Sequence, residues 1–89
     1  MSTRKRISNF LDGAGAMLLD PEAFDDAIIG IARRADGMMV VAYDRQRCIE
    51  VLLQDGMDHG EAEEFFEFNT AGAWVGDGTP VFIDTRWAE

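Results

Sequence analysis

The sequence predicts a small α+β domain in which four helices pack on a two-stranded sheet whose strands we expect to be antiparallel. Three observations predict it. The chain of 89 residues has room for one hydrophobic core and therefore one domain, residues 1–89. Two short apolar runs, residues 38–43 and 81–83, have the composition of buried strands. The other segments carry apolar residues at helical spacing, which gives the order α-α-β-α-α-β.

Two helices are expected before the first strand. A short one is predicted from Ser8, after a flexible basic arm formed by residues 1–7. The second has the clearest helix signal in the sequence and covers residues 21–35, where Pro21 suits the first helical position and Gly37 follows as a stop. Its apolar face is formed by Phe24, Ala27, Ile28, Ile31 and Ala35.

A helical hairpin is expected between the two strands. Asp44 can cap the first of its helices, and Asp58 with Glu61 has the spacing of a capping box that begins the second. The buried face of the second helix is predicted to be Ala62, Phe65, Phe66, Asn69 and Ala73. Two helices of similar length would return the chain to the end where the first strand finished, so the second strand should run antiparallel to it.

Charge and composition exclude several classes of protein. The net charge is −9, and residues 48–89 hold ten acidic residues against Arg86 alone. This half of the chain should repel nucleic acid and attract a basic protein surface. No apolar run is long enough for a membrane span or a secretion signal, and the single Cys48 cannot form an internal disulfide. We therefore expect a cytoplasmic protein that binds neither nucleic acid nor membrane.

The acidic residues of the last predicted helix are the main candidates for a site. Glu61, Glu63, Glu64 and Glu67 form either a solvated face or a surface for a basic partner. His59 and Glu63 share a helical face and with Glu61 could serve a metal-assisted hydrolase, but such a site needs a third ligand from elsewhere. We therefore assign no catalytic, cofactor or metal residue.

Three further residues are candidates for contact with a partner. Trp74 lies within the stretch 68–76, which is rich in small residues. It either fills the core or lies in a binding groove or a dimer interface. Asp77 lies in the turn cluster that follows, next to glycines on both sides. Trp87 either covers an edge strand or contacts a partner.

The stretches 64–69, 72–76 and 79–82, read as EFFEFN, GAWVG and TPVF, resemble a group of small uncharacterised proteins encoded by phages and prophages. The resemblance runs from about Phe24 to Ile83 and carries no catalytic residue. It implies an origin in a phage or prophage and a bacterial host cell. It also implies an accessory protein that acts by binding a host or phage protein.

The sequence therefore predicts a non-enzymatic protein that binds partners with a basic surface. An inhibitor of a host defence nuclease is a special case of this prediction. A homodimer formed through a sheet edge is also compatible with the pattern. Two alternatives remain open: a structural or assembly homo-oligomer, and the metal-assisted hydrolase.

Overall fold

The computed structural model describes residues 2–11, 15–19, 22–71 and 76–86. It is an α+β chain with a three-stranded sheet. The elements in chain order are α1 (Thr3–Phe10), a 3₁₀ helix (Glu22–Ala27), β1 (Ile28–Arg33), β2 (Met39–Asp44), α2 (Arg45–Gln54), α3 (His59–Phe66), a π-helical turn (Glu67–Ala71) and β3 (Val81–Ile83).

The predicted two-stranded antiparallel sheet is wrong. The sheet has the order β1-β2-β3, in which β1 is antiparallel to β2 and β3 is parallel to β2. A parallel neighbour requires a long crossover, and here α2, α3 and the π-helical turn supply it. The prediction considered only the two helices of the hairpin. It neglected residues 67–80, which add enough chain for β3 to enter the sheet in the same direction as β2.

The predicted helix over residues 21–35 is also wrong. Only Glu22–Ala27 is helical, as a 3₁₀ helix, and the next six residues form β1. Residues 20 and 21, which would have begun the predicted helix, lie outside the described residues. The β-branched side chains Ile28, Ile29 and Ile31 suit a strand at least as well as a helix, and Gly30 weakens a helix. Pairing with β2, from Ile28 opposite Tyr43 to Arg33 opposite Met39, decides between the two structures.

Gly37 ends a hairpin loop and not a helix. Arg34 donates its backbone N–H to the Met38 carbonyl at 2.9 Å, and Gly37 donates to the Arg34 carbonyl at 3.0 Å. Gly37 has a φ of +88°, the left-handed conformation expected in a loop of this kind. The Asp36 carboxylate accepts from the Met38 N–H and from the Arg34 guanidinium, and these bonds lower the pKa of Asp36. The loop that connects β1 to β2 is thus fixed by its own side chains.

The first helix begins earlier than predicted. The helix α1 starts at Thr3, with the Ser2 hydroxyl accepting from the Lys5 N–H, and it ends at Phe10, so it overlaps the helix predicted from Ser8 only at residues 8–10. Residues 3–7 of the expected basic arm lie in α1. Arg4 donates to the Asp25 carboxylate through Nε and Nη2, each at 3.0 Å, and to the Leu19 carbonyl at 2.6 Å. This forked contact connects α1 to the 3₁₀ helix.

The helices α2 and α3 begin where their capping residues predicted. The Asp44 carboxylate accepts from the Gln46 N–H at 3.0 Å, and the Asp58 carboxylate accepts from the Glu61 N–H at 2.8 Å. Cys48, on α2, is fully buried, and burial raises the pKa of its thiol to about 12. The thiol is therefore protonated and acts as an apolar group in the core.

One hydrophobic core lies between the sheet and the helices. Its buried members are Leu11, Phe24, Ala27, Val41, Tyr43, Cys48, Ile49, Leu52, Ala62 and Phe66. Phe82 of β3 lies 5.9 Å from Tyr43 and packs edge to face on Phe66 with the ring centres 4.9 Å apart. The Tyr43 hydroxyl accepts from the Leu19 N–H at 2.8 Å, so the central strand also positions the segment that follows α1.

Gly78 allows a close backbone approach that turn composition alone did not reveal. Its carbonyl accepts from the Met17 N–H at 3.0 Å, and a Cβ at this position would overlap the Gly15 carbonyl oxygen.

We expect Gly78→Ala to lower the free energy of unfolding by about 1–3 kcal/mol, because the backbone must shift. The control is Gly60→Ala, in the first turn of α3, where a Cβ makes only ordinary contact and should stabilise by about 0.5–1 kcal/mol. Urea unfolding of both variants measures the two changes. If Gly78→Ala matched the native protein, the close approach would be disproved.

Candidate interaction surface

Among the described residues of the second half of the chain, the most exposed aromatic side chains lie on α3 and the π-helical turn. Phe65 is 40% exposed and Phe68 is 77% exposed, the highest exposure among the large hydrophobic residues that the structure describes. Glu61 and Glu64 are exposed and line the same shallow hollow as these two rings. We call Glu61, Glu64, Phe65 and Phe68 the α3 stripe. Two acidic and two aromatic side chains therefore share one solvent-facing surface.

The π-helical turn changes which residues are buried after α3. The spacing of an α-helix predicted one apolar face formed by Ala62, Phe65, Phe66 and Asn69. Ala62 and Phe66 are buried as predicted, but Phe65 is partly exposed and Asn69 is exposed. Ala73, the last predicted member, lies outside the described residues. A π-helical turn has more residues per turn than an α-helix, so side chains beyond Phe66 emerge in directions that α-helical spacing does not predict.

An open groove lies beside the α3 stripe. It has a volume of about 390 Å³ and is bounded by the 3₁₀ helix, the end of α2, and α3 with its π-helical turn. Its apolar lining includes Phe24, Val51, Leu52, Met57 and Phe65. The hollow of the α3 stripe, about 290 Å³, shares Met57, Phe65 and Asn69 with it, so the two form one continuous surface. We call this combined surface the groove.

The four acidic residues predicted to act together are divided between two sides of the helix. Glu61 and Glu64 line the groove, whereas Glu67 accepts from Arg45 at 2.7 Å. The Arg45 guanidinium also lies 5.5 Å from the centre of the Phe66 ring, and the hydrogen bond to Glu67 raises the pKa of Arg45. Glu67 therefore holds the end of α3 against the first residue of α2, and its charge is already matched.

Glu61 also has a structural role. Its backbone N–H donates to the Asp58 carboxylate and lowers the pKa of Asp58, and its own carboxylate completes the capping box. Substitution of Glu61 would therefore disturb the start of α3 as well as the surface. Glu64 has no such contact with any residue the structure describes. It is consequently the acidic residue of the α3 stripe whose replacement tests the surface alone.

The metal-site alternative requires a third ligand near His59 and Glu63, and the described residues supply none. His59 Nδ1 and Glu63 Oε1 lie 4.0 Å apart, and both side chains are well exposed. Among the described parts of the chain, no three side chains of the types His, Cys, Asp and Glu are grouped closely enough to hold a metal ion. The third ligand that the hydrolase hypothesis requires is therefore not supplied by residues 2–11, 15–19, 22–71 or 76–86.

Of the remaining predicted contact residues, the structure describes only Asp77, and it does not join the groove. Asp77 is exposed in the turn before β3, where its carbonyl accepts from Arg34 at 2.9 Å, and its side chain does not line the groove. Trp74 and Trp87 lie outside the described residues. Sequence reasoning did not single out Met57, Asn69 or Phe68 as surface residues. A signal existed for Phe68, an aromatic residue between Glu67 and a polar residue at the end of an acidic helix.

A second, basic surface lies on the first helix. Thr3, Arg6, Ile7, Phe10 and Ile31 line an open hollow of about 280 Å³ between α1 and β1. Phe10 is 59% exposed, and Lys5 and Arg6 are also exposed. The described surface thus carries an acidic aromatic region on α3 and a basic aromatic region on α1.

No family model, curated protein or solved structure matches the chain. The resemblance to small phage and prophage proteins therefore remains a prediction. In the described parts of the chain, no helix combines the length and the apolar character needed to cross a bilayer.

Proposed function

We propose that this chain is a non-enzymatic binding protein whose α3 stripe contacts a basic surface of another protein. The observation that carries the proposal is the exposure of Phe65 and Phe68 beside Glu61 and Glu64. Aromatic residues are enriched in protein interfaces because they bury a large area while ordering few torsions. Exposed apolar side chains that are bordered by polar residues are typical of a surface that binds another protein.

Charge and aromatic contact would contribute differently to the complex. The excess of acidic residues in the second half of the chain would attract a basic partner over distance and raise the association rate. Burial of the two phenylalanine rings would then slow dissociation. The association rate should therefore fall as salt is added, because salt screens exposed charges beyond about 10 Å at 0.1 M.

We extend the proposal to a phage or prophage accessory protein that works in the cytoplasm of a bacterial cell. The protonated, buried thiol of Cys48 suits a reducing compartment. A nuclease of the host defence is one partner with the required chemistry, because its nucleic-acid channel is basic and an acidic surface can occupy it. In that case the complex would also prevent the nuclease from binding nucleic acid.

An affinity capture from bacterial lysate tests the proposal. The baits are the native protein, a Glu64→Lys/Phe68→Ala variant that changes the α3 stripe, and an Asp77→Lys variant. The last makes the same change of charge at an exposed residue that does not line the groove. We expect the native and Asp77→Lys baits to retain the same protein at low salt, and the α3 stripe variant to retain about tenfold less.

The captured protein is then purified and its binding is measured directly at two salt concentrations. A dissociation constant that is the same for all three baits would disprove a role for the α3 stripe. If the native bait retained no specific protein, the result would favour the two alternatives, a structural homo-oligomer or a metal-assisted hydrolase.

A further inference from the structure

We propose that the groove binds an amphipathic helix of the partner, one with lysine or arginine residues on both sides of an apolar face. The inference rests on the proposed function and specifies the kind of segment that the surface recognises. It follows from three properties of the groove: its apolar lining, the sign of its charges and the helices that bound it.

The apolar lining suits the side chains of a helix. Phe24 and Leu52 are buried at the base of the groove, while Val51, Met57 and Phe65 are partly accessible along it. Amphipathic helices bind by placing residues spaced three and four apart into an apolar groove between helices. Here the lining comes from the 3₁₀ helix, the end of α2, and α3 with its π-helical turn. The flexible Met57 can adapt to side chains of different shape.

The charged side chains that line the groove in the described parts of the chain are all acidic. Asp55 lies at the end of α2, and Glu61 and Glu64 lie on α3. No lysine or arginine is present among the described residues that line the groove. A helix with basic residues beside its apolar face would pair with these carboxylates, whereas an acidic helix would be repelled.

Asn69 adds a neutral polar group where the two hollows meet. It is exposed and lines both of them. Its side-chain amide both donates and accepts hydrogen bonds, so it can satisfy a polar group of the bound helix.

A second copy of this chain is a less suitable occupant. Its α1 carries the exposed residues Lys5, Arg6 and Phe10, but Arg4 already binds Asp25 and Ile7 packs against the core of its own chain. The apolar face of α1 is thus partly used within the chain. A helix from a different protein can offer its whole apolar face to the groove.

The test uses labelled synthetic peptides of about fifteen residues, a length at which isolated helices are marginal and fold on binding. The probe has leucines at positions i, i+3, i+4 and i+7 with lysines on both flanks. One control peptide has glutamates in place of the lysines, and another has serines in place of the leucines. Fluorescence anisotropy gives the dissociation constants. We expect the probe to bind the native protein at least about tenfold more tightly than either control peptide.

Three variants locate the binding site on the protein. Glu64→Lys and Phe65→Ala should each weaken probe binding about tenfold, whereas Asp77→Lys should leave it unchanged. Circular dichroism confirms that each variant is folded. Glu64→Lys changes an exposed side chain that makes no hydrogen bond or ion pair with a described residue. This variant therefore keeps the test decisive if Phe65→Ala unfolds.

Three outcomes would overturn the inference. The first is equal affinity for the three peptides. The second is probe binding that neither Glu64→Lys nor Phe65→Ala weakens. The third is self-association in sedimentation velocity that disappears in both Glu64→Lys and Arg6→Glu, which would assign the groove to a second copy. If the captured partner depends on Glu64 and Phe68 but the probe does not bind, the proposed function stands and only the helical segment is rejected.

Discussion

Phe66→Ala is expected to lower the free energy of unfolding by about 3–5 kcal/mol, as is usual when a fully buried phenylalanine is truncated. Phe66 has no exposed surface. Its ring packs edge to face on Phe82 at 4.9 Å and lies beneath the Arg45 guanidinium at 5.5 Å. Truncation would therefore leave a cavity between α3 and β3 and remove the support for the ion pair between Arg45 and Glu67.

Phe68→Ala is the matched control for this prediction. It removes the same atoms two residues later from a side chain that is 77% exposed, so stability should change by less than about 0.5 kcal/mol. Urea unfolding at neutral pH measures both variants. Equal losses in the two would contradict the assignment of Phe66 to the core and Phe68 to the surface, on which the proposed function depends.

Tyr43→Ala is expected to destabilise the protein by a similar amount, about 3–5 kcal/mol. Tyr43 is fully buried on the central strand, and its ring lies 5.9 Å from that of Phe82. Its hydroxyl accepts the Leu19 N–H at 2.8 Å, so the alanine variant also leaves this donor without its partner. The free energy of unfolding of a folded domain is only about 5–15 kcal/mol, so the expected loss would remove a large fraction of it.

Tyr43→Phe separates the packing of the ring from the hydrogen bond. It keeps the ring and deletes only the hydroxyl, so the expected loss is about 0.5–1.5 kcal/mol. Thermal and urea unfolding of Tyr43→Ala and Tyr43→Phe give the two contributions by difference. A Tyr43→Phe variant as unstable as Tyr43→Ala would show that the hydroxyl, and not the ring, dominates.

Local signals predicted α2 and α3 well. Asp44 and the pair Asp58 and Glu61 are capping residues, and each acts over two or three positions through contacts that depend little on the rest of the fold. The apolar run ending at Tyr43 and the run from Val81 to Ile83 are short and β-branched, and both form strands. These features are properties of adjacent residues, which the sequence displays directly.

The sheet was not predictable in the same way. The segment from Ile28 to Arg33 is compatible with a helix or a strand, and its pairing partner β2 decides the outcome through residues that belong to a different segment, beyond the hairpin loop. The direction of β3 depends on how residues 67–80 return to the sheet. Neither propensity nor spacing within one segment contains this information.

The candidate surface was predicted in part. Glu61 and Glu64 line the groove, but Glu67 binds Arg45, which lies on another helix 22 residues earlier. A contact of this separation does not appear in the pattern of a single helix. Phe68 lies off the apolar face that α-helical spacing predicts, whereas Asn69 belongs to that face and is exposed on the π-helical turn, a structure for which the sequence has no established signal.

Backbone amide chemical shifts of the isotope-labelled native protein, recorded as the lysine-rich probe or the purified partner is added, test the location of binding most directly. We predict that the largest changes occur at Asp55, at Met57 and from Glu61 to Asn69, with little change in the hairpin loop from Arg34 to Met38. Changes concentrated in that loop or in α1, with the signals of α3 unaffected, would contradict the assignment of binding to the α3 stripe.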